Sequence, residues 1–387
     1  MECTLYLTDD CNLQCKYCYE GDRKNKSYMT ENILEAALAF IAQHNLPNDN
    51  IDLLLLGGEP LMNKPILYKV IDIINEKYKE IKHLFQYQTT TNGILLDSKT
   101  VRFLVDNKVA ISISIDGDRE THNLNRCSKN GKDVYDLIMR NMRYMLENNV
   151  DFAVRMTVTA NNVHLLYKNI LYFYNMGIRK INIGIDQCGT WNEESINEFD
   201  VQLNMVDEFY LNEIVNREDT ILNIHDYKLS TFVFKRNPTY CSAGSTNHLI
   251  VNSKGEFYPC GYVANTKKWY LGSVNSSFDR RKFIQTARCN VKKCSSCKDC
   301  DIAFTCSGAK CGFMNYEMTG FLNVHHQTTC KLQRVLYVHN YKTIKSLYQQ
   351  YNQRLMGFIE SALKERAPLS NQMLEIMSSV ENGREVV

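Results

Sequence analysis

The chain has 387 residues, with 45 Lys and Arg against 43 Asp and Glu, and its net charge of +2 leaves no electrostatic footprint for nucleic acid. No apolar run approaches the roughly 18 residues of a membrane span. The amino end lacks a secretory pattern, so a cytoplasmic protein is predicted. Fifteen cysteines in that compartment point to metal ligation rather than disulfides.

An apolar run, Cys3–Thr8, predicts a buried strand and leads directly into Cys11-Asn-Leu-Gln-Cys15-Lys-Tyr-Cys18. Three thiolates on a loop after a strand can hold three irons of a cubane cluster. Such clusters ordinarily take four cysteines, so one iron is left for a ligand that is not protein. A zinc site or a redox dithiol is the alternative, but zinc usually closes four ligands from two pairs, and no partner pair lies nearby.

Residues 29–44 have helical spacing with Thr30 as N-cap. Ile51–Leu56 is a near-continuous apolar run and predicts a strand buried on both faces. It ends in Gly57-Gly58-Glu59-Pro60, where glycines permit close backbone approach to a ligand and a carboxylate suits an ammonium group. Helices over 65–80, 98–107, 134–148 and 163–176 alternate with strands over 85–91, 109–115, 151–159 and 180–186. Six such strands imply parallel, right-handed βαβ units, most economically an α/β fold with a partial (β/α)6 barrel. Chemistry in such barrels sits at the C-terminal strand ends, where the cysteine loop, Gly57–Pro60, Thr91-Asn92-Gly93, Ser114 and Asp116 all fall.

A helical pattern over 197–216 leads out of the barrel, and from about residue 236 the composition shifts: nine of the fifteen cysteines lie between Cys241 and Cys330. Residues 248–252 and 256–258 predict a hairpin turning at Ser253-Lys-Gly255. Residues 332–366 read as helix, and the tail after Pro368 as partly loose. The predicted organisation is a barrel over 1–225, a cysteine-rich domain over 236–330 and a helical segment over 331–387.

The C-x3-C-x2-C spacing with Tyr17 before the last cysteine resembles the radical SAM superfamily, and Gly57–Pro60 matches its GGEP motif. The resemblance implies that Cys11, Cys15 and Cys18 hold a 4Fe–4S cluster whose open iron is chelated by S-adenosyl-L-methionine. It further implies that Tyr17, Gly57, Gly58, Glu59, Pro60, Asn92, Ser114 and Arg155 bind that cofactor. His122-Asn123 and Arg126 resemble the H-N-x-x-R turn of peptide-modifying members, with His122 a candidate acid or base. Cys241-x13-Gly255-x4-Cys260, then Cys297-x2-Cys300-x5-Cys306-x4-Cys311 and Cys330, resemble the SPASM extension; a zinc ribbon is the alternative. By that resemblance Cys297, Cys300, Cys306 and Cys330 hold one auxiliary 4Fe–4S cluster, and Cys241, Cys260 and Cys311 hold another. The fourth ligand of the latter is unassigned: sulfatase-maturing relatives have a cysteine where this chain has Ser245. Cys3, Cys127, Cys188, Cys289 and Cys294 are left without a role.

The first expectation for function is a peptide maturase that forms a thioether crosslink, the substrate thiolate binding an open auxiliary iron. The alternative is an anaerobic sulfatase-maturing enzyme producing formylglycine, although those enzymes carry an Asp where Gly261 follows Cys260. A cluster-bearing electron carrier is a third reading. Expected partners are a cysteine-containing precursor peptide, a reductant such as flavodoxin or ferredoxin, and a separate leader-binding protein. No catalytic residue is assigned.

Overall fold

The computed structural model describes residues 1–21, 26–235, 243, 248–293, 297 and 299–384. Cys241, Ser245 and Cys294, named above, lie outside the described residues. The first elements are β1 (Glu2–Thr8), α1 (Glu31–His44), β2 (Ile51–Gly57), α2 (Lys64–Lys77), β3 (Phe85–Thr91), α3 (Ser98–Asp106), β4 (Val109–Ser114), α4 (Arg119–Asn125), α5 (Tyr135–Glu147) and β5 (Phe152–Val158). There follow α6 (Leu166–Asn175), β6 (Lys180–Ile185), α7 (Glu193–Phe209), β7 (Ile221–Leu222), α8 (Asn223–Val233), β8 (His248–Val251), β9 (Phe257–Tyr258) and α9 (Arg280–Cys289). The chain closes with α10 (Ser307–Lys310), α11 (Gly312–Thr319), α12 (Gln327–Gln349), α13 (Gln353–Lys364) and α14 (Asn371–Arg384). The expected βα alternation and the C-terminal helices are both present. Among the described residues no helix is long and apolar enough to cross a membrane.

Two compact units form: Met1–Arg155 with Ser242–Val291, and Met156–Cys241 with Lys292–Val387. In the first, the strand order is β5-β4-β3-β2-β1-β8-β9. All pair in parallel except β9, which is antiparallel to β8. The predicted hairpin is there, with Ile250 opposite Tyr258. Its first strand also lies parallel beside β1, with Glu2 opposite His248. The cysteine-rich stretch thus extends the βα sheet.

One face of that sheet is closed by apolar packing. Leu53, Leu55, Ile111, Ile113 and Val154 are 0–4 % exposed, and each such side chain contributes about 1.5–3 kcal/mol of burial. The helices present matching stripes: Leu34, Ala37, Leu38 and Ile41 on α1, and Ile138, Met142 and Met145 on α5, at the helical spacing read from the sequence. The other face is different. β2 alternates between buried and half-buried residues, where the sequence suggested burial on both sides. Its open side carries Leu54 and Leu56, continued in register by Gln88 and Ala110, by Thr90, Ser112 and Ala153, and by Ser114 beside Arg155. Polar and small residues on this face leave it unfilled, whereas a packed barrel would line it with branched apolar side chains.

In the second unit β6 pairs in parallel with β7. The helix expected over 332–366 is broken, because Asn352 accepts the Arg354 N–H at 3.0 Å and starts α13 afresh. Within the tail after Pro368, Asn371–Arg384 form α14 rather than loose chain. Ser370 Oγ accepts the Met373 N–H at 3.0 Å, and Met373 and Ile376 are fully buried.

Candidate active site

The turn after β2 is shaped by how closely it meets the end of β1. Gly57 has φ +131°, and a Cβ there would lie 2.0 Å from the Thr8 carbonyl oxygen; at Gly58 it would lie 2.3 Å from that of Asp10. The Gly58 and Glu59 N–H groups donate to those same carbonyls at 3.0 and 2.9 Å. The glycines therefore permit close approach to the chain's own cysteine loop, a role the motif alone does not reveal.

Glu59 is 1 % exposed. Its Oε1 accepts Leu61 N–H at 3.1 Å and Thr91 Oγ at 2.7 Å, and its Oε2 accepts the Asn92 N–H at 2.7 Å. Burial pushes its carboxyl above the usual range, against these hydrogen bonds. Where the sequence suggested a carboxylate free for an ammonium group, three of its roughly four acceptor positions are taken. Its first task is to strap the end of β3 to the turn. Pro60 follows in a buried single turn of 3-10 helix.

The cysteine loop is held from both sides. Asp10 Oδ1 accepts the Cys11 N–H at 2.9 Å, and Lys129 Nζ and Tyr28 Oη donate to the same carboxylate at 2.7 and 3.0 Å. Cys11 is buried, and its Sγ accepts the Leu13 N–H at 3.4 Å. Asn92 Nδ2 donates to Asn12 Oδ1 at 2.7 Å and lies 4.0 Å from Cys11 Sγ. Such donors lower the electron density on a thiolate and tune whatever metal it binds. Farther along, Gln14 N–H donates to Cys127 O at 2.8 Å and Lys16 N–H to Asn125 O at 2.9 Å.

Tyr17 is the other anchor. Its hydroxyl donates to Asp116 at 2.9 and 2.7 Å, and Arg126 Nε donates to Asp116 Oδ1 at 3.1 Å. The guanidinium lies over the Tyr17 ring, 5.1 Å from its centroid. Asp116 is fully buried and Arg126 nearly so. Burial opposes the Arg126 charge, but Asp116 keeps the guanidinium ionised; burial, with Asp116 beside it, holds Tyr17 neutral. This three-residue lock, together with Asp10, Lys129 and Thr91, was not legible as such. Tyr17, Asp116 and Arg126 each stood out, in a motif or at a strand end, with nothing in their spacing to say that the three meet.

The segment read as an H-N-x-x-R turn is helix α4, capped by Asp118 Oδ1 on the Thr121 N–H at 3.0 Å. His122 on that helix is 0 % exposed, neither ring nitrogen has a hydrogen-bond partner among the described residues, and it packs edge-on to Tyr135 at 5.6 Å. Burial and the neighbouring Arg126 push its pKa down to about 3. A sealed, neutral imidazole is no acid or base at neutral pH, which corrects that expectation. Ser114 and Arg155 are register neighbours on the open sheet face, and Ile115 N–H donates to Arg155 O at 3.0 Å. Among the described residues Arg155 forms no ion pair.

Cys260 lies in the first unit. A Cβ on the next residue, Gly261, would come within 2.7 Å of Tyr6 Oη and 3.3 Å of Tyr19 Cε2. These two hydroxyls are 3.3 Å apart.

In the second unit Cys300, Cys306 and Cys330 share one neighbourhood: burial, then the charges of Cys306 and Cys300, push the Cys330 thiol up. Cys306 is buried with Ile302, Ala303 and Ala309, and Cys300 packs against them. Cys297 Sγ is 3.3 Å from His325 Nδ1, whose Nε2 donates to Gly308 O at 2.7 Å. His325 went unnoticed in the sequence, where its one signal is its place just before α12. Cys311 begins α11. Among the described residues no three His, Cys, Asp or Glu side chains gather as a single metal ion requires; a cubane spreads its thiolates over separate irons.

Residues 5–187 match the model of the radical SAM superfamily. A cysteine-type anaerobic sulfatase-maturating enzyme of Clostridium perfringens is 26% identical over 319 residues, covering 77% of this chain and 85% of that protein. The sporulation killing factor maturation protein SkfB of Bacillus subtilis is 24% identical, covering 76% of this chain and 68% of that one. The solved structure of anSMEcpe with bound AdoMet superposes with a TM-score of 0.75 at 21% identity, covering 93% of this chain and 98% of the other. The chain therefore has the fold of that structure, residues 5–187 constitute a radical SAM domain, and the protein is a radical SAM enzyme.

Proposed function

We propose that the protein is a maturase that oxidises a cysteine-containing peptide or protein by two electrons, in the manner of sulfatase maturation. The observation carrying this reading is the locked loop of Cys11, Cys15 and Cys18 against Gly57–Glu59 at the strand ends, in a chain related over three quarters of its length to sulfatase-maturating enzymes. The residues fit the group the reading requires. Three thiols lie on a braced loop with N–H donors aimed at the first sulfur, and the open sheet face begins beside them. S-adenosylmethionine on a 4Fe–4S cluster supplies a 5′-deoxyadenosyl radical on one-electron reduction.

This chain's residues do the rest. Cys11, Cys15 and Cys18 are assigned to the irons. Tyr17, Gly57, Gly58, Pro60 and Asn92 are assigned to the cofactor, with Glu59 fixing Asn92 for that task. Ser114 and Arg155, adjacent on the open face, are assigned to its ribose and carboxylate, which a guanidinium fork suits. The substrate segment would lie along the same face, where small and polar side chains leave room. We assign auxiliary 4Fe–4S clusters to Cys297, Cys300, Cys306 and Cys330 and to Cys241, Cys260 and Cys311. The barrel would then run over 1–225, the cluster domain over 236–330 and the helical segment over 331–387. A flavodoxin or ferredoxin is the assigned reductant, and a separate protein the assigned leader binder.

Gly261 favours a second reading, a thioether crosslink. A carboxylate side chain after Cys260 would collide with Tyr6 and Tyr19, and both hydroxyls are held neutral, chiefly by burial, so neither replaces a base. Anaerobic turnover with a cysteine-containing peptide and mass spectrometry separates the two. Formylglycine replaces sulfur by oxygen with loss of two hydrogens, whereas a crosslink loses two hydrogens and leaves no alkylatable thiol. An unchanged mass with every cysteine peptide tried, despite formation of 5′-deoxyadenosine, would count against both.

A further inference from the structure

The chain as a whole is almost neutral, but one stretch of its first unit is strongly basic. Over residues 264–291, Lys267, Lys268, Arg280, Arg281, Lys282 and Arg288 stand against Asp279 alone, so this stretch carries +5 and the rest of the chain −3. Lys268 Nζ donates to Asn290 Oδ1 at 2.9 Å, and Lys282 Nζ lies over the Tyr270 ring, 5.1 Å from its centroid. Lys267, Arg280, Arg281 and Arg288 are exposed and form no ion pair among the described residues. Elsewhere in the same unit Lys64, Lys69, Lys77, Arg119 and Lys129 each meet a carboxylate. Four of the six cations stand on α9, a helix with no buried residue. It leans on the body through Phe283, whose ring lies 6.2 Å from that of Trp269. Arg281, Ile284 and Arg288 share another face of it, at helical spacing, and Ile284 is 38 % exposed.

Beside the start of α9 runs a groove of about 690 Å³, within the range of ligand clefts. One wall is α1, with Ala36, Ala39, Phe40 and Gln43; the other includes Phe278 and Arg280. Phe40 is fixed in place, its ring stacked on His44 at 3.9 Å and 4.5 Å from the Phe257 ring. No Asp or Glu lines the groove; the acids of α1, Glu31 and Glu35, pair with Lys69 and Lys77. Groove and basic helix both belong to the first unit. Because α1 packs its apolar stripe on the closed face of the sheet, the groove lies on the helix side, away from the open face.

We propose that this groove, with the basic face of α9 beside it, docks an acidic, amphipathic segment of the peptide or protein that the enzyme matures, outside the stretch that is oxidised. Apolar side chains of the segment would enter beside Phe40 and Phe278, and its carboxylates would meet Arg280 and Arg281 at the rim. Charge complementarity carries the choice of partner: cations left without carboxylates on their own chain draw an anionic one and set its register. A nucleic acid backbone would use the cations but leave the apolar wall uncovered. Held there, the substrate is bound through residues remote from the reacting centre, which raises the local concentration of its cysteine at the open face. A separate leader-binding protein would deliver the peptide to this surface. The inference rests on the maturase reading above and deepens it by naming a substrate-recognition surface.

The test is fluorescence anisotropy on the anaerobically reconstituted full-length protein. The ligand is a labelled synthetic helical peptide with Glu on one face and Leu on the other; its controls carry Gln for Glu, or Ser for Leu, and a labelled single-stranded oligonucleotide is the third. Saturable binding of the Glu/Leu peptide is expected, weaker for both control peptides and falling as salt is raised. Arg280→Glu with Arg281→Glu should weaken it at least about tenfold, while Arg280→Lys with Arg281→Lys should retain it. Ala39→Trp, at an exposed position of α1, should weaken it by filling the groove. Circular dichroism and formation of 5′-deoxyadenosine without peptide should match the parent in every variant. Should the charge-reversed protein fold poorly, Ala39→Trp and the Gln control answer alone. No saturable binding, an affinity indifferent to both charge reversal and Ala39→Trp, or tighter binding of the oligonucleotide than of the Glu/Leu peptide would overturn the proposal. A groove that binds as expected in a protein that modifies no peptide would instead sink the maturase reading and leave the acidic-peptide surface standing.

Discussion

Replacing Glu59 by Gln probes the strap at the heart of the site. Two oxygens there meet three donors, Leu61 N–H, Thr91 Oγ and Asn92 N–H. A carboxamide keeps one oxygen, which can stay with Leu61 and Thr91, but its NH2 then faces the Asn92 N–H. One buried donor is left unpaired, costing about 1–3 kcal/mol, and charge-assisted bonds become neutral ones. Removing a buried charge returns part of this, as the upward shift of the Glu59 carboxyl indicates. The net loss should be about 2 kcal/mol, felt locally at the end of β3. Hydrogen exchange read by mass spectrometry over residues 88–95 should accelerate roughly thirtyfold at that cost, and the reconstituted variant should bind S-adenosylmethionine more weakly. Exchange and affinity both matching the parent protein would refute the strap argument.

Gly58→Ala should be worse than its size suggests, because the new Cβ meets a backbone oxygen at 2.3 Å. Overpacking of about 1–3 kcal/mol and loss of cofactor binding are expected by thermal melting and equilibrium dialysis. Arg126→Met leaves Asp116 charged and buried, a change that should cost about 3–5 kcal/mol in chemical unfolding. His122→Leu should be close to neutral, because it removes two unpartnered nitrogens. The His122 value of about 3 lies below the unfolded 6.5, so the unfolded chain takes the proton first and stability falls as pH drops from 6.5 towards 3. The Leu variant should lack that part of the acid loss in melts across this window. The opposite sign holds for His339, which donates to Asp207 and Asp200. Despite burial its pKa is raised above 6.5, so its contribution is whole below pH 6.5 and fades as pH climbs through the folded-state value. His339→Asn should flatten that alkaline decline in urea unfolding.

The βα alternation was readable because strand and helix periods differ and each element is long. Legible as well were the motif residues at the strand ends, since cysteine spacing and Gly57–Pro60 are local in sequence. What escaped reading depends on distant partners. Tyr17 meets Asp116 and Arg126 only through folding, and nothing around Glu59 indicates that Asn92 and Thr91 will occupy its oxygens. His122 read as a candidate acid or base in a turn because α4 is short and its burial is tertiary. β2 read as doubly buried because four leucines in a row hide a face that is open, its neighbours across the register being Gln, Ser and Thr. The pairing of β8 with β1 joins residues more than two hundred positions apart, beyond any local pattern.

The central claim is that Cys11, Cys15 and Cys18 hold a cluster with one iron reserved for S-adenosylmethionine. The most direct measurement is EPR of the anaerobically reconstituted, dithionite-reduced protein with and without that nucleotide, followed by assay for 5′-deoxyadenosine. A spectral change on adding the nucleotide and formation of 5′-deoxyadenosine are predicted, both lost when the three cysteines become Ala. A spectrum indifferent to the nucleotide, or cleavage that survives the triple substitution, would contradict the account.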